Sequence, residues 1–97
     1  MKQFFVYILA TRKDGPIYIG VTSDLRKRVF DHRSRAVPGF TKRFNIDRLV
    51  WYEAHENAES AILREKRLKK WLRKWKVELI EAANPNWDDL FEGLGPN

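Results

Sequence analysis

Phe4-Phe5-Val6-Tyr7-Ile8-Leu9-Ala10, Asp14-Gly15-Pro16, Ile17-Tyr18-Ile19-Gly20-Val21 and Thr22-Ser23-Asp24-Leu25 follow one another at the start of the chain and decide its fold. Gln3 to Ala10 is almost unbroken apolar and aromatic sequence, which reads as a buried strand. Asp14-Gly15-Pro16 marks a turn and Ile17 to Val21 resumes the strand pattern, so the two segments predict an antiparallel hairpin. Thr22, Ser23 and Asp24 each carry an oxygen suited to capping the helix expected from Leu25 to Ala36, which ends before Pro38-Gly39. Further along, Phe40 to Asp47 reads as a short irregular or helical connector and Leu49 to Ala54 as a third strand. A long amphipathic helix is expected from Glu56 or Asn57 to about Trp71 or Lys74, then another from Val77 to Ala83. The expectation is an α+β fold, a small three-stranded antiparallel sheet flanked by helices in the order β-β-α-(short α)-β-α-α. Residues 1–90 form one domain in this reading, with Trp87 and Leu90 packing onto it and 91–97 a flexible tail.

With 97 residues the chain has room for one core, but not for catalytic and recognition domains together. It has no cysteine, which excludes disulfide scaffolds, thiolate metal sites and cysteine nucleophiles. No apolar run approaches bilayer length and the first residues lack the order of a signal peptide, so a cytoplasmic location is expected. The formal charge is +6, which points to a polyanion, most simply nucleic acid. Eight of the thirteen residues from Arg64 to Lys76 are basic, and a solvated helix face is the plainer account of that run.

Glu65 is the sharpest physical clue. Ala58, Ala61, Ile62, Leu68, Leu72 and Trp75 form an apolar stripe at three- and four-residue spacing, and Glu65 projects near its middle. A carboxylate turned inward needs a cation or several donors, so it is either a metal ligand or half of a buried ion pair with an arginine. On the first helix Leu25, Val29, His32 and Ala36 share a face, with Arg28 at its edge one turn before His32. A guanidinium there can hold two phosphate oxygens or serve a structural salt bridge, and His32 can be an acid–base group or a satisfied core histidine. Tyr7 and Tyr18 lie on neighbouring strands; their hydroxyls can share a site or merely bridge core and solvent. Gly20 permits a close backbone approach or marks a kink.

The chain resembles the GIY-YIG nuclease family, and in particular its small stand-alone bacterial members. Tyr18-Ile19-Gly20 matches the second half of the motif, while Phe5-Val6-Tyr7 stands in the place of the first with Phe5 instead of glycine. Asp24 to His32 is similar to the family's arginine-bearing helix, Arg64-Glu65-Lys66 to its metal-binding glutamate, and Asn84-Pro85-Asn86-Trp87 to a feature near the end of the small members. Val21 stands where some members have a lysine. The resemblance implies a metal-dependent DNA endonuclease, with a place in DNA repair or processing, and with Tyr7, Tyr18, Arg28, His32 and Glu65 catalytic. Glu65 would hold Mg²⁺ or Mn²⁺, and Gly20, Thr22, Arg26, Lys27 and Asn84 would contact substrate. One of the two tyrosines, relayed through His32, would take the proton from water. Single-stranded or branched DNA is the favoured substrate, read by basic surfaces and by aromatics such as Phe40, Phe44 or a tryptophan, although most tryptophans are expected in the core. The other readings are a nucleic-acid-binding module of the same fold with little or no activity, and a basic domain that meets an acidic protein.

Overall fold

The computed structural model describes residues 3–34 and 45–94. Strands β1 (Phe4–Ala10) and β2 (Ile17–Thr22) form the expected hairpin, followed by helix α1 (Leu25–Arg33). Strand β3 (Arg48–His55), helix α2 (Ala58–Lys70), helix α3 (Arg73–Ala83) and a 3₁₀ turn at Glu92–Leu94 complete the order. The sheet is antiparallel throughout, in the order β2-β1-β3. This is the α+β arrangement the sequence predicts. The anticipated short helix between Phe40 and Asp47 falls largely outside the described residues, as do Ala36, Phe40 and Phe44.

The pleat of β1 divides the core in two. Val6, Ile8 and Ala10 pack with Ala61 and Leu68 of α2, Ile80 of α3 and Trp87. Tyr7 and Leu9 point the other way, onto Leu25 and Val29 of α1, with Ile46, Leu49 and Phe91. Asp24 caps α1 by accepting from the Lys27 amide at 3.2 Å, and Asn57 caps α2 by accepting from the Ser60 amide at 2.8 Å.

Three expectations need correction. The long helix breaks at Trp71 and Leu72, whose ψ angles of 153° and 148° are extended, so α3 starts at Arg73 instead of Val77. The break turns Leu72 and Trp75 out to solvent, and within α2 Ala61 and Leu68 are buried while Ile62 is exposed. Trp51 and Trp87 are core residues as expected, but Trp75 is not. The ordered chain also runs past residue 90, because Phe91 is buried and Glu92–Leu94 form a helical turn.

Candidate nuclease site

The strand register places Tyr7 opposite Gly20 on β2 and opposite Tyr52 on β3. Gly20 leaves room for the Tyr7 ring: a Cβ there would lie 2.5 Å from the Tyr7 hydroxyl and 2.6 Å from Cζ. Helix α1 then lowers His32 onto the same sheet face, with Tyr7 Oη 3.3 Å from His32 Nε2, a hydrogen bond whose direction follows the imidazole tautomer. Tyr18 closes the group, its ring 6.3 Å from that of Tyr7 and 5.4 Å from that of His32. Tyr7 and His32 are buried and Tyr18 half-buried, so Tyr18 is the phenol with access to solvent.

Two charges act on this cluster. Burial raises the Tyr7 pKa above the ordinary phenol value of 10.0, and the Tyr18 and Glu65 charges add to the rise while Arg28 opposes it. Burial lowers the His32 pKa from 6.5, with Arg28 lowering it further and Asp31 partly offsetting both. Tyr7 is therefore held as a neutral phenol and His32 as a neutral imidazole at neutral pH. Arg28 is exposed on the rim, and Glu65 reaches the cluster from α2 with a half-buried carboxylate. The two therefore act with opposite sign on the Tyr7 phenol.

Among the described residues Glu65 has no arginine partner, the alternative the sequence offers; it accepts from Lys69 at 2.7 Å, one turn along its own helix. The buried-side arginine pair belongs to Glu53, which takes two bonds from Arg64 at 3.1 and 3.3 Å and a third from His55 at 2.7 Å. Among the described residues no three His, Asp or Glu side chains gather as a ligand set. A single carboxylate beside phenols and a guanidinium suits a hard cation that keeps most of its waters, and does not suit zinc.

The residues expected to contact substrate separate. Gly20 lies inside the cluster. Thr22 is engaged in the turn before α1, its hydroxyl accepting from the Asp24 amide at 3.0 Å. Lys27 pairs with Asp31 at 3.1 Å on the exposed face of α1. Arg26 lies over the Phe91 ring at 4.8 Å, with Arg33 over the same ring at 4.4 Å and paired to Asp89. Asn84 does not join them. It is buried at the end of α3, donating to the carbonyls of Val50 at 3.0 Å and Asp88 at 2.9 Å and accepting from the Asp88 amide at 3.0 Å. All of its side-chain polar capacity but one lone pair is used to tie the C-terminal segment to β3, a structural role. Phe91, which orients Arg26 and Arg33, was missed in the sequence because nothing local to it signals a partner on α1.

The family model for the GIY-YIG catalytic domain matches residues 3–78. A UPF0213 protein of Clostridium perfringens is 36% identical over 80 residues, covering 82% of this chain and 85% of that protein. One from Staphylococcus saprophyticus is 31% identical over 83 residues, covering 86% of this chain and all of its own length. The solution NMR structure of a UPF0213 protein from Bacillus halodurans superposes with a TM-score of 0.56 at 29% identity, covering 93% of this chain and 95% of that one. The family match spans well over half of the sequence, and the chain belongs to the GIY-YIG family.

Proposed function

We propose that this protein is a divalent-metal-dependent DNA endonuclease that hydrolyses phosphodiester bonds at the Tyr7–Tyr18–His32 cluster. The observation that carries the reading is the convergence of two phenols and an imidazole, from three different elements, under the opposed charges of Arg28 and Glu65. A binding surface has no use for a carboxylate among phosphates, because it repels them.

In this reading Arg28 holds the non-bridging oxygens of the scissile phosphate and stabilises the charge that grows on them, which is where such sites gain most. Glu65 holds Mg²⁺ or Mn²⁺, which when bound supplies Lewis-acid stabilisation of the same charge. Lys69, which pairs with Glu65 at 2.7 Å, would be free to contact the phosphate with a cation on that carboxylate. Tyr7 stays protonated and fixes the His32 ring. Tyr18, the accessible phenol, orients the attacking water, and the water's proton moves by way of the phenol to neutral His32; as the new P–O bond forms the bond to the departing oxygen breaks, and that alkoxide takes a proton from solvent while His32 returns one to it. Single-stranded or branched DNA is the favoured substrate, and DNA repair or processing in the cytoplasm the favoured setting. Among the described residues no helix is long and apolar enough to cross a membrane.

The test is cleavage of labelled single-stranded, duplex and forked DNA with Mg²⁺, with Mn²⁺ and with EDTA. Metal-dependent cutting, reduced about a hundredfold or more by Arg28→Ala and abolished by Glu65→Ala, is the expected result. Salt-sensitive DNA binding with no cutting of any substrate would replace this reading with that of a binding module.

A further inference from the structure

The break between α2 and α3 creates a surface that the catalytic cluster does not use. Trp71 and Leu72 leave helical geometry without a proline or glycine nearby, and the chain re-enters a helix with Leu72 61% and Trp75 49% exposed. Trp71 is half-buried, packed against the core and under the Arg64 guanidinium at 5.5 Å, so it forms a fixed wall. Trp75 stands edge-on to it, with ring centroids 6.2 Å apart and planes at 86°. Together with Glu78 and Leu79 they line an open groove of about 440 Å³.

Charge surrounds this groove. Lys70 and Lys74 immediately precede the two tryptophans, are exposed, and make no ion pair among the described residues. Neighbouring cations are engaged: Arg73 donates to the carbonyls of Asp14 and Gly15, and Lys76 to the carbonyl of Lys69. Glu78 is the one acid in the lining. An exposed indole, with exposed lysines one and five residues before it on the same corner of the chain, matches the chemistry of a stacked base and its phosphates. A second copy of the chain would bring four lysines face to face, and a duplex would offer no open base face.

We propose that the α2–α3 corner is a base-stacking platform for single-stranded nucleic acid, with Trp75 as the stacking ring and Lys70 and Lys74 as phosphate contacts. It rests on the nuclease reading only for its role, which is to retain the strand being cut. Base–aromatic stacking of this kind is tolerant of sequence.

Binding of a labelled oligothymidine to the full-length protein, in EDTA to prevent cutting, is followed by anisotropy and by quenching of tryptophan fluorescence. Trp75→Ala is expected to weaken binding about tenfold or more, Trp75→Phe to restore most of it, and duplex binding to change little. Lys70→Ala with Lys74→Ala is expected to reduce the slope of log affinity against log salt by about 1.4. Wild-type affinity in Trp75→Ala would overturn the proposal, as would light scattering that shows a dimer broken by that substitution. A protein that cuts no DNA yet loses strand binding in Trp75→Ala would refute the nuclease and leave the platform standing. One that cuts through Glu65 while Trp75→Ala binds normally would do the reverse.

Discussion

Gly20→Ala isolates the steric demand of the site. Gly20 lies in β2 without a left-handed φ, so alanine suits its backbone and only space is at issue. The new methyl would sit 2.5 Å from Tyr7 Oη, 2.6 Å from Cζ and 3.0 Å from Cε1. The ring has nowhere to go, being 1% exposed and hydrogen-bonded to His32. Overpacking of this kind costs about 1–3 kcal/mol and the lost hydrogen bond about 1 kcal/mol, so a destabilisation of about 2–4 kcal/mol is expected. At roughly 4–8 °C per kcal/mol for a domain of this size, the melting temperature should fall by about 10 °C or more. Calorimetry measures this directly, and DNA cleavage well below the new midpoint should fall with it because Tyr7 and His32 no longer meet. Adding Tyr7→Phe removes the closest atom but leaves Cζ and Cε1, so the double variant should recover part of the loss. A Gly20→Ala protein melting within about 2 °C of wild type would refute the argument that Gly20 is there to admit the ring.

Glu65→Gln removes a helical i,i+4 pair with a half-exposed lysine, a loss of about 0.3–0.5 kcal/mol, so melting should barely move while metal-dependent cleavage disappears; a large fall in stability would instead mark Glu65 as structural. Arg28 lowers the His32 pKa, so Arg28→Ala should move the His32 resonance titration upward in NMR, and an unmoved titration would place the guanidinium elsewhere. Because the folded His32 binds its proton less tightly than the unfolded chain, whose value is 6.5, stability should decline as pH falls below 6.5 and level off beneath the folded value; His32→Gln should flatten that decline. Tyr7 has the opposite sign at the alkaline end: its raised pKa adds stability that is present below pH 10.0 and lost above it, a loss that Tyr7→Phe should remove. Asn84→Ala leaves the buried carbonyl of Val50 and the part-buried carbonyl of Asp88 without their donor and should cost about 2 kcal/mol, yet spare cleavage in the cold; lost activity at unchanged stability would return Asn84 to the substrate.

The hairpin, α1 and the cluster it completes were legible because each rests on local pattern: the unbroken apolar run of β1, a capping aspartate, and His32 on the same face as Leu25 and Val29. Glu65 was found by its projection but placed too deep, since a helix wheel cannot say where along the sheet edge a carboxylate emerges. The break at Trp71 was not legible. No proline or glycine forces it; Trp71 turns inward to the core while its amide still bonds the Leu68 carbonyl at 3.1 Å, a choice made by tertiary packing. Extending the helical period across that break is what misplaced Leu72 and Trp75. Asn84 and Phe91 escaped for a related reason, as their partners lie on β3 and α1, far away in the chain.

The alternation along β1 also divides evolutionary risk. Val6, Ile8 and Ala10 have no exposure at all, while on the opposite face Phe5 is only half-buried and the neighbouring Tyr18 likewise. Substitutions at the even positions are judged by whether the protein survives folding, and those at Phe5 and Tyr18 chiefly by what the surface then does. Varying Phe5 while Tyr18 is kept would therefore change the surface beside the site and leave the fully buried face of β1 untouched, an arrangement by which a small fold can diversify its substrates without first being rebuilt.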